Sequence, residues 1–194
     1  MKRWVFGYGS LVNRQTLSGG DTIELVTLKG WTREWRHVVE TPRGAFCLLT
    51  MRECDATAIN GAVIAVDDAA LEGFDVREAG YDRITLQSGL SAHEPAASRG
   101  PDDCVFAYRS KPAKLGWATA QRPLLLSYID SVLDGMLQSF GETGLDAFVR
   151  STKGWSHHIR DDRAAPLYPR ATRIDAAKRA LFDRTIAFAL RAHA

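Results

Sequence analysis

A chain of 194 residues is long enough for one large domain, and at that length roughly 70% of the unfolded surface can be buried in a single core. Twenty-five basic residues against 23 acidic ones leave a formal net charge of +2, too small for a field that draws polyanions, which excludes nucleic acid as the first partner to consider. Cys47, Cys54 and Cys104 are odd in number and follow neither CxxC nor Cys/His zinc spacing; they read as reduced thiols of a cytoplasmic protein, and no run of about 18 apolar residues predicts a membrane span.

Lys2 and Arg3 precede an apolar run, as in a secretion signal, but Gly7, Gly9 and Ser10 break it and no small-x-small site follows. The run therefore reads as a strand. Further strand signals fall at residues 23–28, 36–39, 46–51 and 62–66, short apolar or alternating stretches set off by Gly, Pro and Asp or Asn. One helix interrupts them: DDAALEGFDVREAG, residues 67–80, with Asp67 or Asp68 as the N-cap and Gly80 as the stop. Strands resume at YDRITLQ and CVFAYRS, and the stretch between them, 88–103, has the Gly, Ser and Pro content of a surface loop.

Beyond Pro112 the pattern turns helical. Pro123 stands near the start of a helix whose apolar residues Leu125, Ile129, Leu133 and Met136 share a face, and Gly141 stops it. A shorter helix around 145–149 follows, and residues 174–193 form a closing amphipathic helix. Strands that lead and helices that trail predict an α+β fold with antiparallel pairing dominant. There is no internal repeat or linker, so residues 1–194 read as a single domain with 142–194 as a C-terminal helical extension.

The segment VFGYGSL, residues 5–11, tests against familiar glycine loops. A dinucleotide fingerprint would need a third glycine where Val12 stands, and no phosphate-loop motif occurs. What remains is a tight turn, or a cradle whose N–H groups converge on a carboxylate or an oxyanion. Ser10 is not in a G-x-S-x-G context, so it reads as a loop hydrogen-bonding residue. On the helix that precedes Tyr81, Leu71, Phe74 and Glu78 fall at i, i+3 and i+7. A carboxyl on an apolar stripe loses hydration and its pKa rises, the environment of a general base or acid; the other reading is an ion pair with Arg77 or Arg83 at the helix end. His157 and His158 beside Asp161 and Asp162 have no metal-ligand spacing and read as exposed polar residues. The tail 152–173, with Trp155, Tyr168, Arg163 and Arg170, is open to three readings: a lid whose arginine binds a substrate carboxylate, a docking surface, or a strap.

VFGYGSL followed downstream by LEGFDVREAGYDR resembles the γ-glutamylcyclotransferase superfamily, with the Arg-Glu pair and the Leu after Ser resembling its ChaC-type branch. LLLSYIDSVLDGMLQSFG resembles instead the tyrosine-bearing helix of the γ-glutamylcyclotransferase-like branch. The resemblance implies a small mixed, largely antiparallel barrel-like sheet flanked by helices. It implies Glu78 as the catalytic carboxylate, and Tyr8, Gly9, Ser10, Leu11, Tyr108 and Tyr128 as residues that bind the γ-glutamyl group. The implied reaction releases 5-oxoproline from a γ-glutamyl peptide or amine, with no cofactor, no metal and no partner beyond the small-molecule substrate. A non-catalytic binding module, or an amide hydrolase or acyltransferase built on the same cradle, are the competing readings, and the oligomeric state is not encoded in any motif.

Overall fold

The computed structural model describes residues 2–17, 22–93, 99–100 and 102–193. Its architecture is α+β, with a nine-stranded sheet and three α-helices among the described residues. Strand β1 (Arg3–Gly7) lies at the centre, antiparallel to β3 (Gly44–Val66) and parallel to β6 (Cys104–Ser110). β3 forms a long hairpin with β2 (Ile23–Thr41), and β4 (Tyr81–Thr85) edges β6. β5 (Leu90–Ala92) edges the other side against β2, and the short strands β7 (Leu124–Leu125), β8 (Thr152–Lys153) and β9 (Ile159–Arg160) add parallel pairings.

The hairpin departs from the sequence expectation of four separate strands. Gly30, at φ 83°, absorbs the irregularity between Lys29 and Trp31, and a second register shift at Trp35/His37 bends the strand without ending it. The polar stretch 52–61 remains in β3 because much of it is exposed, so polarity there marks a solvated strand and not a loop. β5 likewise lies inside the expected surface loop 88–103, of which residues 94–98 and 101 lie outside the described residues.

Alternation along β1 divides two cores. Trp4 and Phe6 enter the larger one, built with the helices α2 (Leu126–Arg150) and α3 (Ala176–Ala192), while Val5 enters a smaller one with Ile64, Leu71 and Tyr108 on the side of helix α1 (Asp68–Arg77). The C-terminal segment is part of the larger core through Leu145, Phe148, Trp155, Tyr168, Phe182 and Ile186. Gly141, at φ 66°, interrupts α2 where the sequence places a stop, so two helical runs meet there at a kink. Asp162 fixes the start of α2: its carboxylate accepts from the Ser127 N–H at 2.9 Å and the Ser127 hydroxyl at 2.6 Å. His157 and His158 are exposed, and among the described residues no cluster of His, Cys, Asp or Glu has the geometry to hold a metal ion. Among those residues, too, no helix is long and apolar enough to cross a membrane.

Candidate active site

β1 delivers the chain into the loop Tyr8–Leu11, which turns over into a short 3-10 segment at Ser10–Val12. Gly9 sits at φ −132°, ψ −126°, and a Cβ there would stand 3.1 Å from the Tyr128 hydroxyl and 3.2 Å from Leu49 Cδ1, so close packing accounts for the glycine. The Val12 and Asn13 N–H groups bond back to the Gly9 and Ser10 carbonyls. Among the described residues, the N–H groups of Gly9, Ser10 and Leu11 have no backbone acceptor. A loop with this pattern offers its amides to a ligand.

Glu78 enters from the opposite side. Asp67 caps α1 at its N-terminus by accepting from Ala70 N–H at 2.8 Å, and Glu78 itself, rather than Gly80, is the C-cap. The chain then turns within four residues, Tyr81 N–H donating to the Glu78 carbonyl at 2.8 Å. Gly80 is required in that turn because a Cβ would meet the His37 ring at 2.8 Å. Burial raises the Glu78 carboxyl above the usual range, while the charges of Arg77 and Arg170 and a hydrogen bond from Arg77 pull it back. The ion pair with Arg77 is present, Nε to Oε1 at 3.0 Å, whereas Arg83 pairs with Asp75. The position at the end of α1 also disfavours a charged carboxylate, since the helix presents its negative pole there.

The chain has five tyrosines, and all of them lie at or against this site. Tyr81 donates to the Leu49 carbonyl at 2.8 Å and stacks on His37 with ring centroids 3.8 Å apart. Tyr128, on the first turn of α2, is wedged edge-on between Trp35 and Tyr168. Tyr168, from the tail, donates to the Ser10 hydroxyl at 2.9 Å. Tyr8 donates to the Tyr108 carbonyl at 2.6 Å. Burial is the first cause raising the pKa of all five phenols, so each is a neutral donor at physiological pH.

Ser10, Glu78, Tyr81 and Tyr128 line both a narrow inner cavity of about 40 Å³ and a wider outer one of about 630 Å³. The inner cavity is walled by the loop Tyr8–Leu11 with Phe6 and Leu49; the outer by the far part of the β2–β3 hairpin and by Leu167–Arg170 of the tail. The structure thus brings Tyr8, Gly9, Ser10, Leu11, Glu78 and Tyr128 together. Tyr108 borders the inner cavity, but its hydroxyl is bound to Asp75 of α1 at 2.7 Å, and the group it turns to the site is its carbonyl. Tyr81, which the sequence reading did not name, lines both cavities. Two further residues escape sequence reading: His37, whose ring Nδ1 lies 2.8 Å from the Ser110 hydroxyl, and the buried Arg33 beneath the loop. Burial lowers the His37 pKa to about 4, so the ring is neutral.

The tail lies over the site, and two of its arginines, Arg170 and Arg163, differ in role. Arg170 lines the outer cavity. Arg163 does not: its guanidinium grips Asp130 at 2.6 and 2.8 Å and also pairs with Asp183, tying the tail to α2 and α3.

No family model matches the sequence, and no curated protein sequence matches it. The fold is similar to that of a solved structure described as a gamma-glutamyl cyclotransferase, at TM-score 0.59 and 11% identity, over 95% of this chain and 99% of that one. An uncharacterized protein from Homo sapiens is similar at TM-score 0.56 and 12% identity, over 94% and 98%. YkqA from Bacillus subtilis is similar at TM-score 0.51 and 18% identity, over 79% of this chain and 56% of that one. The fold of this chain is thus similar to that of a solved gamma-glutamyl cyclotransferase.

Proposed function

We propose that the protein is a γ-glutamylcyclotransferase-like enzyme that releases 5-oxoproline from a γ-glutamyl peptide or γ-glutamyl amine, with Glu78 as general base and acid. The observation that carries the reading is the position of Glu78: a carboxyl of raised pKa, between a loop with open amides and neutral phenols, where a narrow cavity meets a wide one. The reacting γ-glutamyl bond would lie beside Glu78 where the two cavities meet, with the bulk of the substrate in the wide one, since about 40 Å³ holds only a few waters. A reducing compartment such as the cytoplasm fits the cysteine usage.

The chemistry needs few groups because the substrate carries its own nucleophile. The α-amine attacks the γ-carbonyl, a C–N bond forms to close the five-membered ring, and the amide C–N bond to the leaving group breaks. With a pKa of ~8 the amine is roughly a tenth neutral at pH 7, so deprotonation is a small part of the barrier. Holding the flexible glutamyl chain in its ring-closing conformer supplies several kcal/mol. The departing nitrogen is a poor leaving group and must be protonated; Glu78 accepts the proton from the attacking nitrogen and delivers it to the departing one, ending in its starting state. A raised pKa makes the carboxylate a better acceptor for that first transfer. The Gly9, Ser10 and Leu11 amides, which line the inner cavity without a backbone acceptor among the described residues, would serve the substrate carboxylate or the oxyanion that develops on the γ-carbonyl.

The test is product analysis. The protein is incubated with glutathione, γ-glutamyl dipeptides and γ-glutamyl amines, and 5-oxoproline is sought by mass spectrometry. Formation with wild type and its loss with Glu78→Gln supports the reading; absence of 5-oxoproline from every substrate, or undiminished turnover by Glu78→Gln, overturns it.

A further inference from the structure

Arg33, on β2, is fully buried, and among the described residues no carboxylate pairs with it. Its neighbour Glu34 is turned to Arg36 and Arg52 instead. The guanidinium is held only by neutral groups: Nε donates to the Tyr8 carbonyl at 2.6 Å, one terminal nitrogen to the Ser151 hydroxyl at 2.9 Å, and the other to the Asn60 carbonyl. The Phe148 ring lies 5.0 Å from its carbon. Burial pushes its pKa down to about 9, which leaves it charged at neutral pH. A buried cation without a counter-charge is costly, and a fold that only needed a strut here would do as well with a neutral side chain.

The contact with Tyr8 has a geometric consequence. There is no cis peptide bond among the described residues, so the carbonyl of Tyr8 and the N–H of Gly9 point in opposite directions from one planar unit. Fixing the carbonyl on Arg33 fixes the N–H on the other side, where Gly9 lines the inner cavity with Glu78 and Tyr128.

We propose that Arg33 is the positioning residue of the amide cradle: it sets the direction of the Gly9 N–H and places an unneutralised cation behind the loop, which favours the negative charge that develops in ring closure. The inference rests on the reaction proposed above and adds to it a residue that touches no substrate. Because the charge that Arg33 favours grows in the transition state, its loss appears in kcat more than in KM.

The experiment compares wild type with Arg33→Lys, which keeps the charge but not the three-armed geometry, and Arg33→Gln, which keeps one donor but no charge. Steady-state 5-oxoproline release is measured together with amide hydrogen exchange of the peptide spanning residues 8–12. The expected result is a fall in kcat of roughly a hundredfold for Arg33→Lys and more for Arg33→Gln, with KM changed by less than about threefold. Exchange at 8–12 becomes about tenfold faster while the β2–β3 hairpin is unchanged. A folded variant whose kcat is within about twofold of wild type, or whose exchange at 8–12 is unaltered, overturns the proposal. If neither variant folds, Ser151→Ala, which detaches one arm of the guanidinium, replaces them, and unaltered exchange at 8–12 in that variant overturns it. A wild-type protein that makes no 5-oxoproline refutes the proposed reaction, and the exchange comparison then still decides whether Arg33 orients the loop.

Discussion

The Tyr168 hydroxyl donates to the Ser10 hydroxyl at 2.9 Å, joining the tail to the cradle across 158 positions of sequence. The same ring packs edge-on against Tyr128, with centroids 4.8 Å apart, so one side chain closes the loop and steadies the helix tyrosine. Tyr168→Phe keeps the ring and removes the bond. A hydrogen bond of this kind contributes about 1 kcal/mol, so kcat/KM for 5-oxoproline release is expected to fall about fivefold. Steady-state kinetics checks it; unchanged kcat/KM would make the tail a strap with no part in the reaction.

Glu78→Gln separates activity from stability. A base that handles both proton transfers contributes roughly 10²–10⁴ in rate, so kcat drops by that range. Stability moves the other way. Burial raises the Glu78 pKa in the folded state, so between the unfolded and folded pKa values the folded protein holds more protons than the unfolded chain. Above that window the ionised, buried carboxylate lowers stability, and the amide removes that cost. Thermal denaturation at pH 7 is therefore expected to show Glu78→Gln melting no lower than wild type; a clear fall in Tm would mean that the pair with Arg77 stabilises the fold more than burial of the charge opposes it.

The acid limb of the pH profile follows from the same carboxylate. Activity needs Glu78 ionised, so kcat/KM declines as pH falls through its raised pKa. The Arg77 charge pulls that pKa down, and Arg170 does so to a lesser extent. Arg77→Met therefore moves the acid limb to higher pH, and Arg170→Ala moves it in the same direction by less. A pH–rate profile of each variant is the measurement, and a shift toward lower pH would contradict the assignment of the limb to Glu78.

The sequence made Glu78 visible because a carboxylate shared a helical stripe with Leu71 and Phe74, although the side chain owes its burial to the C-cap position and the turn that follows. Tyr81 was missed because YDRITLQ reads as a strand; the signal that could have found it is the turn EAGY, which puts an aromatic ring three residues beyond the acid. Arg33 had no signal, since a charged residue in an alternating strand is read as solvent-facing, and both faces of β2 are covered around it. The direction of the Tyr108 phenol was equally hidden, because strand alternation says that one face is buried but not which of two cores it enters. The long hairpin was fragmented for a related reason: a bulge at Gly30 and an exposed polar stretch look like strand ends when partner strands are unknown.

Arg163 provides the contrast to Arg170. Its bonds to Asp130, which is 3% exposed, form a buried pair reinforced by Asp183. Burial pushes the Asp130 carboxyl up and the Arg163 bond pulls it back, so removing the arginine leaves a carboxylate without its principal partner. Arg163→Ala is expected to cost roughly 3–5 kcal/mol by chemical denaturation, with kcat/KM of the folded fraction unchanged. Loss of activity without loss of stability would instead return Arg163 to the substrate site.

Gly9→Ala tests the cradle at the point where space is tightest. The added Cβ would stand 3.1 Å from the Tyr128 hydroxyl oxygen and 3.2 Å from Leu49 Cδ1, tighter than most Cβ contacts, and Gly9 does not have a positive φ, so crowding and not backbone strain is the penalty. Tyr128 has little room to retreat, being held edge-on by Trp35 on one side and Tyr168 on the other. Overpacking of this kind costs about 1–3 kcal/mol, and a methyl group placed between Gly9 and Tyr128 also intrudes on the inner cavity they share, so 5-oxoproline release falls more steeply than stability does. Combining it with Tyr128→Phe removes the oxygen that the methyl crowds. The double variant should regain part of the lost stability, with a coupling energy on the order of 1 kcal/mol by denaturant titration, while activity stays low because the methyl still occupies the cavity. Strict additivity of the two changes would show that Gly9 and the Tyr128 hydroxyl do not press on one another, and that the glycine serves the loop in some way other than close approach.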